Sequence, residues 1–298
     1  MNEAIQTHGP KTSASTHAWF NGHLCPREDC APSIASINLH LGTSVFDGLM
    51  AYWNRDHYYL HRAEEHLHRF IKGAARMSLG FSWTAEQMVD GIHLLLKAEP
   101  QCTQYIRPIA FRRAPELWVT GSLGKPVDVA IFTVKATRDI RDAMTAHISP
   151  IERISSRAIP QHTKVSGAYV NSFYARRTAE ASGFQDGIML DREGRITEAS
   201  AANFFAICNG RLETPPLDPD VFPGITREVV LEIARHLDIE YAEVDLRATD
   251  VAAFDGAFLC STLMEIKPLS CIGTHALRTT ESELFNAILD QFRSITHQ

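Results

Sequence analysis

Apolar positions in AEEHLHRFIKGAARMSL (63–79) recur at helical spacing: Leu67, Phe70, Ile71, Ala74 and Met77 fall on one face. This predicts a helix. Thr84 and Gln87 in TAEQ form a capping box that opens a second helix through about Lys97, with Met88, Ile92 and Leu95 inward. The pattern then changes. QYIRPIAF (104–111) and VDVAIFTVKA (127–136) are rich in β-branched and aromatic residues and read as strands. The first half of the chain therefore alternates helix with strand.

Two polar stretches follow, TRDIRDAM and SPIERISSRAIPQHT, with Pro150 and Pro160, and they predict a boundary near 137–150. The expected division is a loose arm over 1–16, a small α/β domain over 17–137, a linker over 138–150 and a larger domain over 151–298. Within the last, 169–181 reads as a helix stopped at Gly183. GIMLD and ITEAS flank the turn REGR. ANFFAI and RLET flank CNG, whose Asn209-Gly210 pair is a strong hairpin signal. FPGITREVVLEIARHLDI starts a helix near Thr226 with Val229, Val230, Ile233 and Leu237 as its inner stripe, and GAFLCST is a further strand. The fold class is α/β or α+β, in two domains.

Composition narrows the function classes. The 298 residues are 45% hydrophobic and 21% charged, which is ordinary for a globular protein. A net charge of −6 without a basic run argues against a nucleic-acid partner and for a small soluble substrate. The polar N-terminus does not read as a signal peptide, and no stretch is long and apolar enough to cross a membrane. The six cysteines form no C-x-x-C pair and suggest neither a zinc site nor a disulfide framework, so a reducing cytoplasmic compartment is expected. His61, Glu65 and His68 would share a helix face, but H-E-x-x-H is absent and no metal is expected.

ITEASAANFF (196–205) poses the main chemical question. Glu198 sits in a run of small and apolar residues that reads as a buried strand. A buried carboxylate calls for a cationic partner, and that partner need not be a protein residue. A protonated pyridine nitrogen would serve; a strand-end glutamate facing solvent is the plain alternative. Lys164 in HTKVSGAY is either a surface residue or a desolvated amine able to form a Schiff base. FPGITRE (222–228) sets Gly224 before a helix whose first N–H groups, at Ile225 and Thr226, could bind phosphate. Ser261 and Thr262 in CSTLMEI could add hydroxyls, and Arg62 a charge.

Read together, these features resemble the class IV aminotransferases, which are pyridoxal phosphate (PLP) enzymes, and most closely the branched-chain type. HLGTSVFDGL (40–49) resembles that family's H-Y-G-x-x-V-F-E-G-I, and RAEEHLHRF (62–70) its R-x-x-E-H-x-x-R-L. YIRP (105–108) and PGITR (223–227) are matched outright, and ITEASAANFF resembles E-x-[SG]-x-x-N-x-F. The resemblance spans nearly the whole chain and implies a two-domain, fold type IV PLP enzyme, like D-amino-acid aminotransferase in architecture. By resemblance, Lys164 would hold PLP as a Schiff base, Tyr169 would bond the ring hydroxyl, and Glu198 would pair with the pyridine nitrogen. Arg62, Ile225, Thr226, Thr262 and Ser261 would bind its phosphate. Tyr105 and Arg107 match residues near the substrate carboxylates, and Phe46 a wall of the side-chain pocket.

The departures from the family pattern lie in the segments expected to shape substrate. Leu41 stands for a tyrosine, Asp47 for a glutamate and Met50 for an arginine. RRAPELWVTG (112–121) replaces a glycine-rich loop, and TVKATR (133–138) an aromatic-containing segment. Leu263 and Met264 stand for small residues; they either reshape the pocket or repack the loop against Trp118. The expected activity is amino transfer between a branched-chain-like or modified apolar amino acid and 2-oxoglutarate or another keto acid. The alternatives are a class IV enzyme acting on D-amino acids or amines, a PLP lyase, or a non-catalytic relative. The resemblance also implies a homodimer or higher homo-oligomer.

Overall fold

A computed structural model describes residues 14–115, 118–120, 123–136, 142–159, 162–218 and 220–296. Two mixed or antiparallel sheets organise the chain, one before residue 136 and one after residue 143. The first contains β1 (His17–Phe20), β2 (His23–Pro26), β3 (Val45–Phe46), β4 (Leu49–Asn54), β5 (His57–Leu60), β6 (Gln104–Phe111) and β7 (Asp128–Lys135). Its order is β2-β1-β7-β6-β4-β5, with β3 also on β6, and every pairing is antiparallel. With it go α1 (Ile37–Leu41), α2 (Ala63–Arg76) and α3 (Ala85–Ala98).

Local signals account for these helices. Thr84 accepts from the Gln87 N–H, and the Gln87 side chain accepts from the Thr84 N–H, so the expected capping box starts α3. Met88, Ile92 and Leu95 are fully buried, as their spacing requires. On α2, Leu67, Phe70 and Ala74 pack into the same core with Trp19, Leu49 and Ile106.

The second sheet contains β8 (Met144–Ile148), β9 (Asp186–Leu190), β10 (Ile196–Ala199), β11 (Asn203–Cys208), β12 (Arg211–Thr214), β13 (Tyr241–Glu243), β14 (Gly256–Ser261), β15 (Glu265–Ile272) and β16 (His275–Ala276). Around it lie α4 (Tyr169–Ala181), α5 (Ile225–His236) and α6 (Glu283–Thr296). The order is β10-β9-β8-β15-β14-β11-β12-β13, and β10 also pairs with β11. That last pairing closes six strands, β10-β9-β8-β15-β14-β11, into a ring. Its register sets Glu198 opposite Asn203. Phe204 and Leu259 face one core of this sheet, while Phe205, Phe258 and Phe285 face the other, beneath α5 and α6.

Several expectations hold closely. The helix expected over 169–181 is α4, and Gly183 takes the positive φ that ends it. Asn209 and Gly210 both have positive φ, as the tight β11–β12 turn demands. Two expectations need correction. The stretch read as linker contains β8, which lies between β9 and β15 and is parallel to both; residues 137–141 lie outside the described residues. Leu237 is not part of α5's inner stripe. It follows the helix end and is 36% exposed, while Val229, Val230 and Ile233 are buried.

A short backbone ladder joins the two sheets. Phe46 donates its N–H to Lys164 O (3.0 Å), Ser166 to Ser44 O (2.9 Å) and Gly167 to Gly42 O (2.8 Å), and Val45 bridges Val165. Gly42 has φ +62°, and a Cβ there would lie 2.7 Å from Gly167 Cα, so only glycine permits this approach.

Candidate active site

One cavity gathers most of the residues singled out in the sequence. Lys164, Tyr169, Glu198, Ile225, Thr226, Ser261 and Thr262 all line it, with Arg69, Arg153, Asn203 and Phe222. Strand ends and helix starts deliver them. Glu198 and Asn203 come from the ring closure, Ser261 from the end of β14, and Ile225 and Thr226 from the first turn of α5.

Lys164 Nζ donates to the Tyr169 hydroxyl at 2.9 Å and lies 4.4 Å from the centre of the Phe222 ring. Glu198 is buried, and its Oε1 lies 2.6 Å from Arg153 Nε. Its Oε2 accepts the Phe222 N–H at 3.2 Å and an Asn203 amide hydrogen at 3.5 Å. Burial pushes the Glu198 carboxyl above the usual range, opposed by Arg153, the Phe222 N–H and Lys164. The cationic partner that a buried carboxylate calls for is thus present within the chain. Arg153 lies in the polar stretch SPIERISSRAIPQHT, just past the expected linker, where nothing distinguished it from a solvated arginine.

At the opposite side of the cavity, α5 begins at Gly224 with no side chain capping it, which leaves its first N–H groups available. A Cβ at Gly224 would lie 2.0 Å from Asn203 Oδ1, so the close approach of this turn to β11 depends on glycine. Ser261 Oγ accepts the Met264 N–H at 3.3 Å, which fixes the turn that follows β14. Bare helical N–H groups, two hydroxyls and an arginine suit a phosphate. A buried carboxylate and a primary amine lie in the same cavity, which suits a pyridine ring bearing an aldehyde. The residues present therefore fit PLP.

Of the two arginines, Arg69 lines the cavity and Arg62 does not. Arg62 occupies the position before α2 and is held by Glu65 (2.7 Å) and by Glu232 of α5. Arg69 lies seven residues later, two turns along the same helix face. Its Nε and Nη2 grip Asp47 at 2.8 Å each, and Nη1 donates to Pro223 O at 3.0 Å. Asp47 is accordingly not a pocket wall but the buried anchor of Arg69.

Phe46, Tyr105 and Arg107 adjoin the cavity from the first sheet. The Phe46 ring centre lies 4.9 Å from that of Tyr169, and Arg107 Cζ sits 4.6 Å over Phe46. Arg107 Nη2 donates to the Tyr105 hydroxyl at 3.1 Å. Met50 is buried beside Tyr52 and Tyr105. Leu41 and Leu263 do not join this group; they are 45% and 44% exposed in the single chain. Met264 packs against the core that includes Phe204 and Leu259, and Trp118 is 80% exposed, so the alternative of repacking against Trp118 does not hold. His61 packs among Tyr52, Tyr59 and Phe292, and among the described residues no group of His, Cys, Asp and Glu could hold a metal ion. No helix among them is long and apolar enough to cross a membrane.

Comparison with known proteins agrees with this geometry. The family model for class IV amino-transferases matches residues 44–272. A probable branched-chain-amino-acid aminotransferase of Aquifex aeolicus is 32% identical over 266 residues, covering 87% of this chain and 85% of that protein. The Escherichia coli (strain K12) branched-chain-amino-acid aminotransferase is 29% identical over 88% of this chain and 86% of its own. The structure of a Thermoproteus uzoniensis branched-chain aminotransferase with norvaline superimposes with a TM-score of 0.90 at 30% identity, covering 96% of this chain and 95% of that one. The mixed sheets with flanking helices are thus those of fold type IV. This chain belongs to the class IV aminotransferase family.

Proposed function

We propose that this PLP-dependent enzyme transfers an amino group from an apolar, branched-chain-like amino acid to 2-oxoglutarate or a related keto acid. The observation that carries the reading is the pairing of Lys164 Nζ with the Tyr169 hydroxyl in a cavity that also holds Glu198 and the N-terminus of α5. Relatives named as branched-chain aminotransferases support the choice of donor.

Lys164 is the residue that would hold PLP covalently, and Glu198 would face its ring nitrogen. Arg69, Thr226, Thr262, Ser261 and the Ile225 N–H would hold its phosphate. Bound there, PLP supplies an aldehyde that links to amines and a cationic ring that takes up the electrons of a carbanion. The chain's own groups do the rest. Lys164 Nζ, released from the cofactor, takes the α-proton of the donor and returns it. Tyr169 Oη, which accepts from Nζ, aims that amine. Glu198 holds a proton on the ring nitrogen through its charge. Arg107, beside the apolar ring of Phe46, would meet the distal carboxylate of a dicarboxylic acceptor. Donor product leaves before acceptor binds, so the kinetics are ping-pong.

The two sheets would form a small domain over 17–137 and a larger, cofactor-holding one that begins at β8 and runs through α6. A homodimer working in the cytoplasm completes the reading, with Leu41 and Leu263 near the subunit boundary.

The test is visible absorbance of the purified protein during titration with single amino acids, wild type beside Lys164→Ala. A cofactor band that leucine, isoleucine or valine bleaches, and that Lys164→Ala lacks, supports the reading. Bleaching by D-amino acids or amines alone would move the donor class. Absence of a band after PLP is added would sink the cofactor assignment for this chain.

A further inference from the structure

Among the described residues, one pair of cysteines is in contact. Cys25 Sγ and Cys30 Sγ lie 3.6 Å apart, both as free thiols. The spacing C-x-x-x-x-C carries no motif, and the fold is what joins them. Cys25 pairs with Ala18 across β1 and β2. The chain then turns through Arg27–Cys30, with the Arg27 N–H on Thr16 O (3.0 Å) and its Nε on Ser15 O (2.7 Å). That turn brings Cys30 back onto the sheet, where it is 8% exposed among Ala18, Phe111 and Ala130. Cys25 packs at the edge of the same cluster and is half-buried. Neither thiol lines the cavity.

We propose that Cys25 and Cys30 are a site of reversible oxidation, closed to a disulfide by small disulfides of the oxidised glutathione class, with Cys25 reacting first. The site is separate from amino transfer and does not depend on it. Exposure sets the order, since Cys25 is open in part to solvent and Cys30 is enclosed. Burial and the neighbouring Cys25 push the Cys30 thiol up to about 12, against the charge of Arg113, so Cys30 stays protonated at neutral pH. The Cys25 thiolate attacks one sulfur of the small disulfide, whose S–S bond breaks and releases one small thiolate. Cys30 then gives up its proton and attacks the Cys25 sulfur, which expels the second small thiolate. Two protein thiols are oxidised and one small disulfide is reduced to two thiols. The second step joins sulfurs already in contact, so it outruns a further encounter with reagent from solution. The sulfurs close from 3.6 Å to about 2.05 Å, which draws the turn toward β2. In a reducing compartment the pair stays open, and the bond marks a rise in oxidised thiols.

The test exposes reduced full-length protein to oxidised glutathione, alkylates the remaining thiols under denaturing conditions and maps the products by mass spectrometry. Trypsin cuts after Arg27, so Cys25 and Cys30 fall in different peptides unless a disulfide joins them. The expected result is a loss of two of the six thiols and a joined species of residues 12–27 and 28–55 that separates on reduction. Cys30→Ser should instead hold one glutathione on Cys25. Cys25→Ser should leave Cys30 unmodified for about tenfold longer than the wild-type pair survives. A wild type that stops at a glutathione adduct, pairs either cysteine elsewhere, forms disulfides between chains or keeps all six thiols overturns the proposal. Undiminished reactivity of Cys30 in Cys25→Ser overturns the order of attack. The wild-type map decides even where a serine variant does not fold.

Discussion

Arg153 Nε stands 2.6 Å from Glu198 Oε1, and both side chains are more than nine-tenths buried. Burial and Arg153 thus pull the Glu198 carboxyl in opposite directions, burial raising its pKa and the arginine lowering it. Removing the arginine leaves an uncompensated carboxylate in the interior. Arg153→Leu is expected to cost about 3 kcal/mol of stability, measured by urea unfolding. Adding Glu198→Gln should recover a large part of that loss. If the double variant is no more stable than Arg153→Leu alone, the two groups are not an energetic pair.

Arg107 lies over Phe46 with one nitrogen on the Tyr105 hydroxyl. A charge beside an apolar ring suits an enzyme that admits apolar donors and dicarboxylic acceptors in turn. Arg107→Ala should lower kcat/KM for 2-oxoglutarate by about 30- to 100-fold, the worth of a charged hydrogen bond. A monocarboxylic keto acid should lose only a few-fold. Equal losses for both acids would remove Arg107 from distal carboxylate recognition.

Gly48 leaves no room for a side chain. A Cβ there would lie 1.8 Å from the Tyr105 hydroxyl oxygen and 2.3 Å from the ring carbon that bears it. Gly48→Ala must push Tyr105 aside, and with it the hydrogen bond to Arg107. The expected outcome is a KM for the acceptor raised about tenfold, from overpacking of about 1–3 kcal/mol. Cofactor affinity should be unchanged, because the displaced groups face substrate. Steady-state kinetics beside a PLP titration distinguish the two effects.

Stability should depend on pH through His61. Burial pushes its pKa from 6.5 down to about 4, with help from the nearby Arg62 charge. Between these values the unfolded chain binds more protons than the folded one, so stability falls as the pH falls. The contribution is complete above pH 6.5 and is lost progressively toward pH 4, amounting to about 3 kcal/mol. His61→Phe, which suits the ring cluster with Phe292, should flatten the melting curve's dependence on pH across that window. An unchanged slope would assign the titration to another group.

Much of this architecture was legible because its signals are local. The capping box at Thr84 and the stripe of Met88, Ile92 and Leu95 needed no tertiary knowledge. The same is true of Asn209-Gly210 and of the PGITR turn. What escaped depends on partners distant in sequence. β8 is five residues long and became a strand through parallel pairing with β9 and β15, which no local pattern encodes. Arg153 looked like any arginine in a polar stretch until the fold set it against Glu198. Arg62 and Arg69 share a helix face, and only the course of α2 past the cavity decides which of them lines it. A buried acid such as Asp47 gives no sign in the sequence of which cation it will hold.

The ladder between 42–46 and 164–167 has one further consequence. Phe46 and Lys164 are joined directly in that ladder, although Phe46 lies in the first sheet and Lys164 in the loop before α4. Any rocking of one sheet on the other must hinge away from this seam. The reactive amine and the wall it faces then travel as one body, and the groups free to shift are those farther out, at the loop after β14. Substrate exchange can thus proceed by opening the rim while the distance that governs proton transfer stays constant.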